Sequence, residues 1–179
     1  RRHYPELAAF PVVNPDIVDD GERLTKIADG SQDFIIANHF IEHCEDPIGT
    51  LKTFASKLRP GGVIYMAVPD KRYTFDRARP STQFEHVEAD HSDGGVASRT
   101  GHYLEYARLA SAPTALTEAD ALPIAARLMS DHYSIHFHVW DYNEFADFLG
   151  RCLARYVEHV ALVDQAANQD EGIFILKAS

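Results

Sequence analysis

The stretch from residue 33 to residue 70 constrains the fold more than any other. Phe34-Ile35-Ile36-Ala37 is apolar at every position. A strand with one wet face would alternate, so the unbroken run predicts a central parallel strand covered on both faces. Asp46-Pro47 follows, an N-cap with proline at the first helical position. Ile48, Leu51, Ala55 and Leu58 then recur at helical spacing, and "RPGG" (59–62) ends that helix. Val63 to Val68 is a second β run, closed by Pro69-Asp70. Strand, helix and strand within about 40 residues predict a right-handed βαβ crossover on a parallel sheet.

The rest of the chain fits around that unit as one domain over residues 1–179. "FPVVNPDIV" (10–18) predicts a brief strand cut short by its prolines, and Asp29-Gly30-Ser31 a turn. Residues 71–135 lack a buried-strand signature and predict an insertion of helix and loop outside the sheet. Helices are expected over 102–111 and 117–130, the second bent by Pro123, with "HSDGGVASRTG" as a loop. "YSIHFHVW" (133–140) reads as extended. Asp141 and Glu144 resemble a capping box, and Phe145, Phe148, Leu149, Cys152 and Leu153 form an amphipathic stripe behind it. Segments 156–163 and 172–177, joined by a polar loop, predict a closing antiparallel pair.

Composition removes several functions. A net charge of −10 repels phosphate backbones and anionic lipid, so neither nucleic acid nor a membrane is an expected partner. No signal peptide is visible, and no apolar run approaches the roughly 20 residues that span a bilayer. Cys44 and Cys152 are the only cysteines, which gives no disulfide framework and suits a reducing cytoplasm.

His39-Phe-Ile-Glu42-His43 spells the H-x-x-E-H pattern of inverted zinc peptidases. A metal-dependent hydrolase built on His39, Glu42 and His43 needs both histidines on one face of an unbroken helix. Asp46-Pro47 begins the helix too late for that. No metal ligand is assigned, and the hydrolase stands as an alternative.

"DDGERLTKIADGSQDFIIANHFIEHCEDP" followed by "LRPGGVIYMAVPD" resembles the second half of class I S-adenosylmethionine-dependent methyltransferases. The likeness is strong over 10–70, moderate over 136–177 and absent over 71–135. It implies an α/β fold: a partial Rossmann-like sheet, mostly parallel, with a terminal antiparallel hairpin and a helical insertion on the acceptor side. It implies S-adenosylmethionine as cofactor and S-adenosylhomocysteine as product. By family position Asp20, with Asp19 the second choice, accepts a hydrogen bond from the adenine amino group, and Gly21 offers its N–H. Ala37, Asn38 and His39 line the methionine part. The family's glycine-rich loop and the acidic residue after its second strand have no counterpart here. The expectation is the carboxyl-terminal part of a truncated methyltransferase acting on a small-molecule or saccharide-type acceptor.

Methyl transfer from a sulfonium needs alignment first, and a base where the acceptor loses a proton. His39, at the carboxyl end of a strand, is one candidate. His136 and His138, two apart in an extended segment, would point the same way and are the others. With His39 or Asp70 that pair could instead hold a metal. Asp70 and Arg72 are candidate acceptor-binding residues. Lys71, Arg72, Arg77 and Arg79 form either a patch for an anionic acceptor or a solvated loop. Tyr103, Tyr106 and Tyr133 read as a small core, and Cys44 as a packing residue. A further alternative is a non-catalytic domain whose sheet is completed by another chain, as in a homo-oligomer.

Overall fold

The computed structural model describes residues 14–179. Its elements are β1 (Gln32–Asn38), α1 (Pro47–Lys57), β2 (Leu58–Pro69), α2 (Phe84–Asp93), α3 (Arg99–Leu109), α4 (Glu118–Ser130), α5 (Tyr142–Tyr156), β3 (Val160–Asn168) and β4 (Glu171–Ala178). The strands form one sheet in the order β1-β2-β4-β3. β1 pairs parallel with β2 across the α1 crossover, and the β3–β4 hairpin adds two antiparallel pairings. This is the expected βαβ unit with its terminal hairpin. The hairpin's strands run further into the polar segment than hydropathy indicated, because cross-strand hydrogen bonds carry Asp164–Asn168 without burial.

One face of the sheet holds the core. Ile64, Met66 and Val68 of β2 and Phe174 and Leu176 of β4 meet Ile48, Leu51 and Phe54 of α1 and Phe145, Phe148 and Leu149 of α5. Each such side chain contributes roughly 1.5–3 kcal/mol when fully buried. α1 starts where Asp46 accepts a hydrogen bond from Gly49 N at 2.8 Å. α5 starts on a complete Asp141/Glu144 capping box, with bonds of 2.9 and 2.7 Å.

Three expectations are corrected. β1 is not covered on both faces by the described residues: Ile35 and Ala37 turn to the core, while Phe34 is 64% and Ile36 62% exposed. β2 lies on one side of β1 only, so within residues 14–179 it is an edge strand. Of the strand expected over 10–18, residues 14–18 are irregular, and 10–13 lie outside the described residues. The insertion holds a helix that periodicity did not reveal, α2. It sends Phe84 and Val87 into the main core, so the insertion is not wholly outside it. α3 and α4 build a second core of Tyr103, Ala107, Ala121 and Ala125 with Ile135 and Phe137, and α4 continues through Pro123. No helix among the described residues is long and apolar enough to cross a membrane.

Candidate functional site

The carboxyl end of β1 gathers most of the residues singled out for cofactor. His39 N donates to Ala67 O at 2.8 Å, extending the ladder by one residue. The chain then leaves the sheet through a left-handed His39 (φ 48°) into a single 3-10 turn, Ile41–His43. H-x-x-E-H therefore spans a strand end and a turn rather than a helix, and the two histidines diverge. Ala37 is buried and Asn38 exposed. The loop carrying Asp20 and Gly21 packs against this corner: a Cβ on Gly21 would lie 2.5 Å from the Phe40 ring. Glu22 holds the same corner by accepting from Glu45 N and Asp46 N, both at 3.2 Å. Asp20 accepts from Glu22 N and is exposed. Asp19 is used within its loop, accepting from Lys26 N at 2.6 Å.

His39 sits between two carboxylates. Its Nε2 is 2.8 Å from Glu171 Oε2, a contact that holds the Glu171 carboxyl below its ordinary range. Its Nδ1 is 4.0 Å from Glu42 Oε1. Glu42 is buried, and neither of its oxygens has a hydrogen-bond partner among the described residues. Burial pushes its pKa up to about 7.

Beyond Glu42 lie His43 and His136, whose ring centroids are 4.6 Å apart. His43 Nδ1 is 2.8 Å from Ile135 O, and burial lowers its pKa. His136 Nδ1 is 2.6 Å from Asp76 Oδ2. Burial raises the Asp76 pKa, but the His136 hydrogen bond and the Arg79 charge outweigh it and the net shift is downward. Arg79 is itself buried. It pairs with Asp76 and Glu105 at 2.8 Å each and donates to His136 O and Phe137 O. His43, Phe75, Tyr106, Tyr133 and His136 line a cleft of about 700 Å³. Of the three tyrosines expected in a small core, Tyr103 is buried there, while Tyr133 is half exposed at this cleft.

His138 does not share this site, which corrects the expectation that both histidines face one way. Phe137 N and His138 N both donate to Glu42 O, at 2.8 and 3.2 Å. Consecutive amides of an extended strand point to opposite sides, so two on one carbonyl mean a bend. His138 is fully buried, and desolvation pulls its pKa down to about 3. Its neighbours are His86, Asp90 and His102, not the His39 or Asp70 suggested as partners in a metal site.

Asp70 and Arg72 are also committed to the fold. Asp70 accepts from Arg72 N, Nε and Nη2 and from Tyr142 N. Desolvation raises its pKa, but those donors outweigh it and the net direction is down. The Arg72 side chain is 51% exposed, and its guanidinium lies 5.6 Å from the Tyr73 ring centroid. Of the four basic residues, Arg79 is buried, Lys71 donates to Arg79 O, Arg72 is bound to Asp70, and Arg77 is exposed. Cys44 is a buried packing residue, its thiol pKa raised by desolvation.

Asp76, His86, Asp90, His102 and Glu171 were not singled out from the sequence. His86 and Asp90 are one helical turn apart, the one signal in the sequence that points to them, and it is visible only where α2 is known to be a helix.

Comparison with known proteins bears on the fold and family. A family model described as a methyltransferase domain matches residues 5–110, more than half of the chain. No curated protein matches. A solved structure described as a zinc-dependent alcohol dehydrogenase from Rhodobacter sphaeroides is 16% identical. It aligns over 97% of this chain and 69% of its own, with a TM-score of 0.55, a likeness of fold. A chain from the complex of the Haloferax volcanii Trm112 methyltransferase activator with a methyltransferase is 14% identical at a TM-score of 0.46. The match covers 93% of the present chain and 64% of that one. The mixed α/β sheet is the partial Rossmann-like architecture that the sequence resemblance implied. The chain belongs to the methyltransferase domain family.

Proposed function

We propose that the protein takes part in S-adenosylmethionine-dependent methyl transfer to the hydroxyl or amine of a small-molecule or saccharide-type acceptor. Asp20 and Gly21 meet the adenine, and Ala37, Asn38 and His39 the methionine part. The acceptor enters the cleft beside Phe75, Tyr106 and Tyr133. Its oxygen or nitrogen attacks the sulfonium methyl as the carbon–sulfur bond breaks, S-adenosylhomocysteine leaves, and the acceptor's proton passes to His136.

The observation that carries this reading is the Asp76–His136 pair on the cleft wall. Asp76 occupies Nδ1 at 2.6 Å and orients the ring, leaving Nε2 to take the proton. Glu42 lies between this pair and His39, linking the acceptor side to the cofactor side. Arg72, its side chain half exposed, would meet an anionic group on the acceptor. Calorimetric titration with S-adenosylhomocysteine tests the assignment, on this chain and on a form extended by the coding sequence upstream. Binding by either form, weakened by Asp20→Ala, is expected. No binding by both rejects it.

A second reading, completion of the sheet by another chain, is favoured by β1, whose outer edge is unpaired among the described residues and whose Phe34 and Ile36 are exposed there. Sedimentation tests it, and a monomer at all concentrations counts against it.

A further inference from the structure

His86 and Asp90 of α2, His102 of α3 and His138 of the 133–140 segment meet at one point. His86 Nε2 and His102 Nε2 are 3.1 Å apart, and the three Nε2 atoms stand 3.3, 3.4 and 3.6 Å from Asp90 Oδ2. All four ligand atoms lie within 4.8 Å of one another. We propose that these four residues form a closed binding site for a divalent transition metal of the zinc class, which pins the helical insertion onto the sheet domain. This inference does not depend on the methyl-transfer reading.

The distances separate this cluster from ordinary histidine–carboxylate hydrogen bonding. Elsewhere in the protein His136–Asp76 and His91–Asp46 close to 2.6 and 2.9 Å, the range of charge-assisted bonds. Around Asp90 the contacts are longer, 3.3 to 3.6 Å. Ligand atoms about 2.0–2.1 Å from a tetrahedral zinc are about 3.3 Å from one another. Four of the six separations here, 3.1 to 3.6 Å, bracket that edge.

His138 supplies an independent observation. Its ring is wholly buried and its Nδ1 has no hydrogen-bond partner among the described residues. Its Nε2, aimed at Asp90, has only Glu45 O at 3.5 Å for a hydrogen bond. A fully desolvated imidazole so poorly satisfied costs stability as a structural residue, and a metal at Nε2 would offset part of that cost by giving this nitrogen a strong partner. Asp90 is also buried, and no lysine or arginine pairs with it among the described residues. A bound cation would neutralise it.

The local sequence builds the site. Gly94 and Gly95, both left-handed (φ 73° and 74°), end α2 and reverse the chain so that α3 brings His102 back over Asp90. Gly95 sits so close to Glu45 that a Cβ would lie 2.8 Å from the Glu45 carbonyl oxygen. Three imidazoles and one carboxylate suit zinc, cobalt or nickel rather than magnesium or calcium. Four protein ligands leave no open position, which marks the site as structural. A cleft of about 490 Å³ bordered by Gln83, His86 and His102 gives the ion an entry path.

The test uses the protein purified without a histidine tag and stripped with chelator. One equivalent of zinc should bind, and Tm should rise by about 5–10 °C when zinc exceeds Kd a hundredfold. Cobalt should give the visible bands of a tetrahedral ion. His86→Ala, at the exposed rim, should keep the native circular dichroism and lose the cobalt bands, while His159→Ala keeps them. Wild-type protein that binds no zinc overturns the proposal. So does a His86→Ala variant that binds cobalt as wild type does, or a wild-type cobalt spectrum without tetrahedral bands.

Discussion

His136 and His138 are separated by one residue, yet they meet carboxylates in opposite circumstances. Asp76, beside His136, is already balanced by the buried Arg79 guanidinium and makes a tight bond to a single imidazole. Asp90, beside His138, has three imidazoles around it at longer range and no arginine or lysine in contact among the described residues. The difference teaches that two carboxylates can serve histidines in opposite ways. At Asp76 one imidazole closes in beside an arginine and its second nitrogen is left for chemistry. At Asp90 three rings crowd one carboxylate and stand off around a vertex that a cation would fit.

The largest effect expected of this contrast is catalytic. His136→Gln should lower methyl transfer about 10²–10⁴-fold, the usual contribution of a general base, while leaving zinc uptake intact. His86→Ala should do the reverse. Steady-state rates and metal content on the same preparations measure both. Equal losses of activity in the two variants would erase the distinction between the clusters.

Next in size is the buried ion pair. Arg79→Ala leaves Asp76 uncompensated and should cost roughly 3–5 kcal/mol in urea unfolding. A cost below about 1 kcal/mol would mean that Asp76 does not need Arg79 to stay charged beside His136.

Glu42, whose carbonyl accepts from both Phe137 N and His138 N, gives a pH signature of the opposite sign from Asp76. Its folded pKa, about 7, is raised above the ordinary value of 4.5, so the folded state binds more protons between those values and stability falls as pH rises. Glu42→Gln should abolish that fall, making the variant more stable than wild type by up to about 3 kcal/mol at pH 8 and no different near pH 4. The Asp76 carboxyl is depressed, so its contribution is present above the unfolded value of 3.8 and is lost as pH falls through the lower folded one. Asp76→Asn should therefore lose stability at neutral pH and flatten only the acid limb. Chemical denaturation across pH 3–8 would distinguish the two slopes, and a Glu42→Gln profile parallel to wild type would refute the assignment.

What the sequence disclosed follows from which signals are local. The apolar run 34–37, the Asp46-Pro47 start and the Asp141/Glu144 box all act within one element. Each survives in β1, α1 and α5. The two histidine clusters depend on longer-range events: a bend at 137–138, two left-handed glycines, and a helix, α2, whose apolar stripe is only Phe84 and Val87. Period-2 reasoning put His136 and His138 on one side because it assumed an extended backbone. Two amides sharing Glu42 O could not be read from residue types. The carboxyl end of β1 was legible because a strand's end is set by the strand itself. The partners it acquires, Glu171 from the hairpin and Glu42 from the turn, come from tertiary pairing.

The smallest effect tests how much of the Asp76–His136 geometry depends on Arg79's second partner. Glu105 pairs with Arg79 at 2.8 Å, but its side chain is 33% exposed, against 1% for Asp76. Water screens the Glu105 arm, and such pairs contribute about 0.2–1 kcal/mol. Glu105→Gln should therefore cost no more than about 1 kcal/mol and leave the methyl-transfer rate within about twofold of wild type, because Asp76 alone holds the His136 ring. If Glu105→Gln instead depressed the rate as far as His136→Gln does, the arginine would be acting as a movable carrier of charge between two acids. The tight Asp76–His136 bond would then reflect one position of Arg79 rather than a fixed feature of the cleft wall.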